Sequence, residues 1–230
     1  MGEAEDRDTG EAEPEMPPGK VSIRRLRRSE LPVGTVALAR FLMGKIVVRD
    51  LPRLRMAGRI VETEAYPPKD PAAHHYRGPT PRTQSMFLSR GHAYIYFSYG
   101  NHFMLNVSAE VPGVGGGILI RALEPLEGIS EMERLRGTNR LFDLTRGPGR
   151  LAQALQIDSS VNGVDLCAPG PLWLGELTSP RDRKAEKLHL DRPARMGVSR
   201  RIGITKAAHR LLRFYERGNR FVSGTARLRA

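Results

Sequence analysis

Cysteine occurs once in the 230 residues, at Cys167, which excludes an internal disulfide and any cysteine-rich metal site. No apolar run approaches the ~20 residues needed to span a bilayer. The N-terminal stretch MGEAEDRDTGEAEPEMPP has no apolar centre of the kind a secretory leader needs. The sequence also lacks a serine nucleophile elbow, a Walker-type glycine loop and a dinucleotide fingerprint. The expectation is a chain of the cell interior, with no membrane partner and no nucleotide cofactor.

Lysine is scarce as well: six of the 37 basic residues, the rest being arginine. The formal net charge is +12, but the first 18 residues hold seven acids against one arginine, which leaves +18 on the remainder. So basic a body meets a polyanion, and nucleic acid is the first candidate. Arginine suits phosphate forks and base stacking better than lysine does. A GC-rich genome would explain the arginine-to-lysine ratio equally well, though not the net charge.

Residues 1–20 read as a disordered acidic tail, and VSIRRLRRSELP as a basic connector. The periodicity then predicts a helix carrying Leu38, Phe41 and Leu42 on one side, stopped at Gly44, and a strand over 45–49. GRIVETEAY is a second strand, 67–85 a loop, and 93–98 with 103–108 a hairpin turning at Gly100 and Asn101. GGGILIRALEPLEG is a buried strand, RGPGRLAQALQI opens a helix, and the end alternates short apolar strands with basic turns. One α+β domain over 21–230 with a largely antiparallel sheet flanked by helices accounts for this.

Within GRIVETEAY, alternation places Ile60, Glu62, Glu64 and Tyr66 on one face. Two carboxylates side by side on a sheet repel each other and are costly to bury unpaired. Six of the 14 aromatic residues fall between Phe87 and Phe103. An alternating strand makes Tyr94, Tyr96 and Phe97 core candidates, whereas Tyr99 at the turn has the position of a wedge entering a base stack. His74 and His75 raise the question of a metal, but neighbouring loop histidines diverge and no cysteine helps, so no metal site is expected.

Several motifs together resemble one family. GRIVETEAY, AAH, TPRTQSMF, YIYFSYGNHFMLNVS, ILIRALEPLEG, GPGRLAQAL and RIGI followed by LRFYERG occur in the order and rough spacing of the alkyladenine (3-methyladenine) DNA glycosylases, from about Leu38 onward. The resemblance implies a single α+β domain with a curved antiparallel sheet. It implies a metal-free, cofactor-free, monofunctional base-excision-repair enzyme that hydrolyses the N-glycosidic bond of alkylated or deaminated purines in double-stranded DNA. A monomer in a bacterial cytoplasm, at the nucleoid, is expected, or a nuclear protein in a eukaryote.

Matched residue by residue, Glu64 is similar to the family's water-activating base and Arg121 to an arginine near the catalytic water. The carbonyl of Ile202 is similar to one that binds that water. Tyr66, His74 and Tyr96 match residues that hold the flipped purine, which replaces the core reading of Tyr96. Asn106 matches the asparagine that excludes guanine's exocyclic amine, and Tyr99 the intercalating tyrosine. The loop after Tyr66 is one residue shorter than in vertebrate members, which leaves His75 as a rival to His74; His74 completes AAH. Glu62, one pleat deeper, is expected to pair with an arginine. A non-catalytic nucleic-acid-binding protein using the same basic surface and wedge is the alternative.

Overall fold

In the computed structural model the described residues are 21–98, 100–178 and 196–224, so the acidic tail and Tyr99 lie outside them. The 13-residue strand β3 (Leu54–Tyr66) is the longest of the described elements. It hydrogen-bonds along one edge to β6 (Gly117–Glu127); along the other it pairs first with β2 (Ile46–Leu51) and then with β9 (Arg213–Glu216). Beyond these lie β1 (Ile23–Arg25) and β7 (Leu172–Leu177) on one side, and the hairpin β4 (Ala93–Ser98) and β5 (His102–Ser108) on the other. The order is β1-β7-β2-β3-β6-β5-β4, with β8 (Met196–Ser199) attached through β9. Every described pairing is antiparallel and the sheet does not close, in keeping with the α+β expectation.

Among the described residues four helices pack on this sheet: α1 (Thr35–Phe41), α2 (Ile129–Arg136), α3 (Leu141–Leu144) and α4 (Pro148–Ala154). The main core joins Leu38 and Leu42 below α1, Met132 of α2 and Leu151 of α4 to Ile60, Ile95, Leu105, Ile118, Ile120 and Leu123 of the strands. Burying each such side chain contributes about 1.5–3 kcal/mol, which makes this cluster the principal hydrophobic driving force. Gly44 ends the α1 segment at φ +79°, a conformation that penalises any side chain. Its N–H donates to Ile60 O at 2.8 Å, turning the chain into β2. A smaller cluster of Val61, Ala122, Tyr215, Phe221 and Val222 forms separately from the main core.

The β3–β6 pair carries two bulges that bear on the site. Ile60 pairs with Leu123 and Glu62 with Ala122, so Val61 is an extra residue on β3; Thr63 then pairs with Ile120, so Arg121 is an extra residue on β6. A bulge bends its strand and re-aims side chains. Simple alternation put Ile60 on the same face as the carboxylates, and this is corrected: Ile60 packs in the main core, and Thr63 Oγ1 donates to Ala39 O of α1. Val61 and Glu62 are turned away from that core together.

Other expectations also need correction. The basic connector contains β1, and its arginines are engaged internally. Arg24 pairs with Glu30 and Glu176, Arg28 with Asp165, and Arg25 stacks over Trp173. The 67–85 loop holds short 3-10 turns at His74–Arg77 and Gln84–Phe87. The segment after Arg200 contributes a single described strand, β9, and not an alternating series. Phe97, half exposed, is a surface residue.

Candidate active site

Glu64 is completely buried near the end of β3. Its Oε1 accepts from the Ile202 N–H at 2.7 Å and faces Arg121 Nη1 at 3.2 Å; its Oε2 accepts from the Tyr66 hydroxyl at 2.9 Å. A carboxylate offers about four acceptor positions in all. Among the described residues Glu64 has three partners, two at Oε1 and one at Oε2, so one acceptor position remains, on the less occupied Oε2. Burial and the adjacent Glu64 charge push the Tyr66 phenol well above its ordinary value, so it remains a donor.

Tyr66, Arg121 and Ile202 also form part of the wall of a cavity of about 400 Å³, within the roughly 300–1,000 Å³ typical of small-ligand sites. The rest of the wall includes His74, Met86, Tyr94, Tyr96, Met104, Asn106, Leu119 and Pro148. Alternation in the hairpin sends Tyr94 and Tyr96 to one side, where their rings lie 5.5 Å apart at 30°. His74 meets Tyr96 edge-on at 4.5 Å and brings Nδ1 to 3.1 Å from the Tyr94 hydroxyl. Tyr94 is thus both a fully buried core residue and part of the cavity wall.

His75 turns the other way. It is buried, its Nε2 lies 3.2 Å from Pro67 O, and its ring packs edge-on to Phe87. Of the two candidate histidines, His74 is the one that reaches the cavity. Burial, the Arg82 cation and His75 lower the His74 pKa, which favours a neutral imidazole. Asn106, also buried, donates Nδ2–H to Tyr94 O at 3.2 Å and to Met104 O at 3.4 Å. That leaves its carbonyl oxygen free of these bonds.

Glu62 meets the expected arginine, and more than one. Its Oε1 accepts from Arg121 Nε at 2.9 Å and from Arg213 Nε at 2.6 Å. Of the residues read from the sequence, Tyr66, His74, Tyr96, Asn106, Arg121 and Ile202 line this cavity, and Glu64 lies behind its wall, held by Tyr66, Arg121 and Ile202; Tyr99 lies outside the described residues. Sequence reasoning passed over Arg201 and Asp70, a fully buried pair at 2.9 Å beside Tyr66, as well as Met86, Met104 and Arg213. Arg201 is the first residue of RIGI, and that was the only available signal.

Residues 30–220 match the model of the family described as Methylpurine-DNA glycosylase (MPG). The chain belongs to this family. Methylpurine-DNA glycosylases are hydrolases that act on N-glycosyl bonds in DNA base excision repair, and that is the enzyme class of this protein. The chain is similar to a protein of Mesorhizobium japonicum, 60% identical over 86% of this chain and 90% of the relative. It is also similar to one of Paraburkholderia phytofirmans, 47% identical over 91% and 92%, and to one of Methanoculleus marisnigri, 43% identical over 82% and 93%. All three carry the name "Putative 3-methyladenine DNA glycosylase". Among the described residues no helix is long and apolar enough to cross a membrane.

Proposed function

We propose that this glycosylase takes alkylated or deaminated purines out of double-stranded DNA into the 400 Å³ cavity and cleaves the N-glycosidic bond with water activated by Glu64. The observation that carries the reading is the buried Glu64 carboxylate, held by three groups of the cavity wall with one acceptor position left on Oε2. A glycosidic bond breaks through an oxocarbenium-like state. A fixed carboxylate stabilises that positive charge and takes the proton of the attacking water, typically contributing ~10²–10⁴-fold.

The other residues follow from their positions. Tyr66, His74 and Tyr96 offer rings to the flat faces of a flipped purine. Asn106, its Nδ2 held by Tyr94 O and Met104 O, occupies space that guanine's exocyclic amine would need. Arg121 holds Glu64 by one nitrogen, and the Ile202 carbonyl is the acceptor for the attacking water, its N–H being already committed to Glu64. Tyr99 at the hairpin turn is the wedge that replaces the extruded nucleotide, returning roughly 1–3 kcal/mol of stacking against an extrusion cost of a few. A 3- or 7-alkylated purine already carries positive charge and leaves without protonation, so one essential carboxylate suffices. The functional unit spans 21–230, works as a monomer and acts on DNA in the cytoplasm of its cell.

Duplexes carrying one defined lesion test this. Wild-type protein should release free base, and Glu64→Gln should bind the same duplex with no release. A wild type that binds lesion DNA without releasing base would make the protein a non-catalytic binder and overturn the reading.

A further inference from the structure

The cluster on which Arg121 rests lies outside the cavity. Glu62 is fully buried, and Oε1 accepts from Arg121 Nε, from Arg213 Nε and from the Ser223 hydroxyl at 2.9 Å, while Oε2 accepts from the Ser223 N–H at 2.7 Å. Ser223 Oγ also accepts from Arg121 Nη2 at 3.3 Å, and Ser223 O accepts from Arg213 Nη2 at 2.9 Å. Ser223 therefore touches all three charged groups. It lies 161 residues from Glu62 in the chain and just past the 30–220 segment that matches the family. Buried Phe221 and Val222 anchor its segment, with Phe221 stacked 5.0 Å from Phe142.

Resting on the carboxylate-activated-water reading above, we infer that Glu62 and Ser223 are positioning residues that prevent Arg121 from closing as a two-pronged fork on Glu64. A guanidinium between two carboxylates pairs most strongly through two parallel N–H bonds to one of them. Here Nε is taken by Glu62 and Nη2 by Ser223, so Nη1 alone reaches Glu64, at 3.2 Å. The Glu64 oxygen that must receive the water's proton stays clear of the arginine. Arg121 as the extra residue of its bulge gives the side chain this aim, and Ser223 fixes it. Remove the anchor and the guanidinium swings onto Glu64, which blocks the base without emptying the cavity.

The test is single-turnover base release alongside lesion-duplex affinity for Glu62→Gln, Ser223→Ala, Arg121→Gln and the Ser223→Ala/Arg121→Gln double variant, each checked for a cooperative thermal transition. A misaimed catalytic group costs on the order of 10²-fold. We expect release to slow by about 10- to 100-fold in Glu62→Gln and about tenfold in Ser223→Ala, with affinity held within about twofold. In the Arg121→Gln background Ser223→Ala should cost nothing more, because residues acting through one group are not additive. Should Glu62→Gln fail to fold, the Ser223→Ala pair of measurements decides alone. Wild-type release rates in folded Ser223→Ala, equal losses in affinity and rate, or a full additional loss in the double variant would each overturn this inference. Absence of release from wild-type protein would instead overturn the reading it rests on.

Discussion

The Arg201 guanidinium lies 4.5 Å from the centre of the Tyr66 ring and is completely buried. The same side chain donates Nη1 to Ala65 O at 3.0 Å and Nη2 to Asp70 Oδ1 at 3.1 Å. It thereby joins the segment that carries Ile202 to the end of β3. Both backbone pieces that hold Glu64 are fixed by this one residue.

Asp70→Asn should consequently be among the most destabilising single substitutions near the site. It leaves Arg201 buried without its counter-charge and frees Arg210, which also pairs with Asp70 at 2.9 Å. Removing one partner of a buried ion pair costs about 3–5 kcal/mol. Denaturant unfolding gives the value directly; a loss under 1 kcal/mol would show that the pair does not tie the two segments.

Tyr66→Phe deletes the donor to Glu64 Oε2 and leaves the ring in place. A hydrogen bond to a charged group contributes about 1.5–3 kcal/mol. Base release should slow by about 10- to 100-fold in single-turnover assays while the variant still binds lesion DNA. An unchanged rate would mean that the hydroxyl does not orient the base.

His74 and its neighbour His75 both favour acid unfolding. Burial lowers the pKa of His74 and of His75, against the Pro67 carbonyl and nearby acids in the latter case. The unfolded chain therefore binds a proton more readily, near pH 6.5. The stability tied to each group is full above that value and falls as pH drops below it toward the folded pKa. Thermal unfolding between pH 7.5 and pH 5 should show a smaller acid loss in His74→Asn than in wild type. Parallel curves would mean that His74 titrates alike in both states.

Gly149→Ala should push α4 off the hairpin. A Cβ there would come 2.7 Å from the His102 ring, although the neighbouring Pro148 must stay in the cavity wall. Overpacking of this kind costs about 1–3 kcal/mol. Weaker lesion-duplex binding with a lowered unfolding temperature is expected, and normal values of both would show that the helix relaxes freely.

Local pattern and family motifs carried much of this architecture. The hairpin strands were legible to within a residue because alternation is read along the chain, and the turn requires residues such as Gly100 that tolerate φ +70°. The convergence of Glu64, Tyr66, His74, Tyr96 and Arg121 came from motif order, which no periodicity supplies. What stayed hidden was non-local. β1 read as a basic connector because its arginines find their partners on residues as distant as Glu176. β7, α2 and α3 were not assigned at all. The paired bulges leave no mark in composition, since Val61 and Arg121 are ordinary strand residues until a partner strand counts them as surplus. Ser223 met Glu62 for the same reason of distance, beyond the reach of any window.

Those two surplus residues cancel. β3 gains one position at Val61, β6 gains one at Arg121, and the register past them is that of an uninterrupted pair. Shortening either strand by a single residue would leave the other's insertion uncompensated, and everything downstream would rotate by half a turn of the pleat. The acid, the tyrosine and their arginine would then turn toward the helices and away from the cavity. Lineages that trim or extend one of these strands must therefore alter both in concert, or lose the enzyme while keeping the sheet.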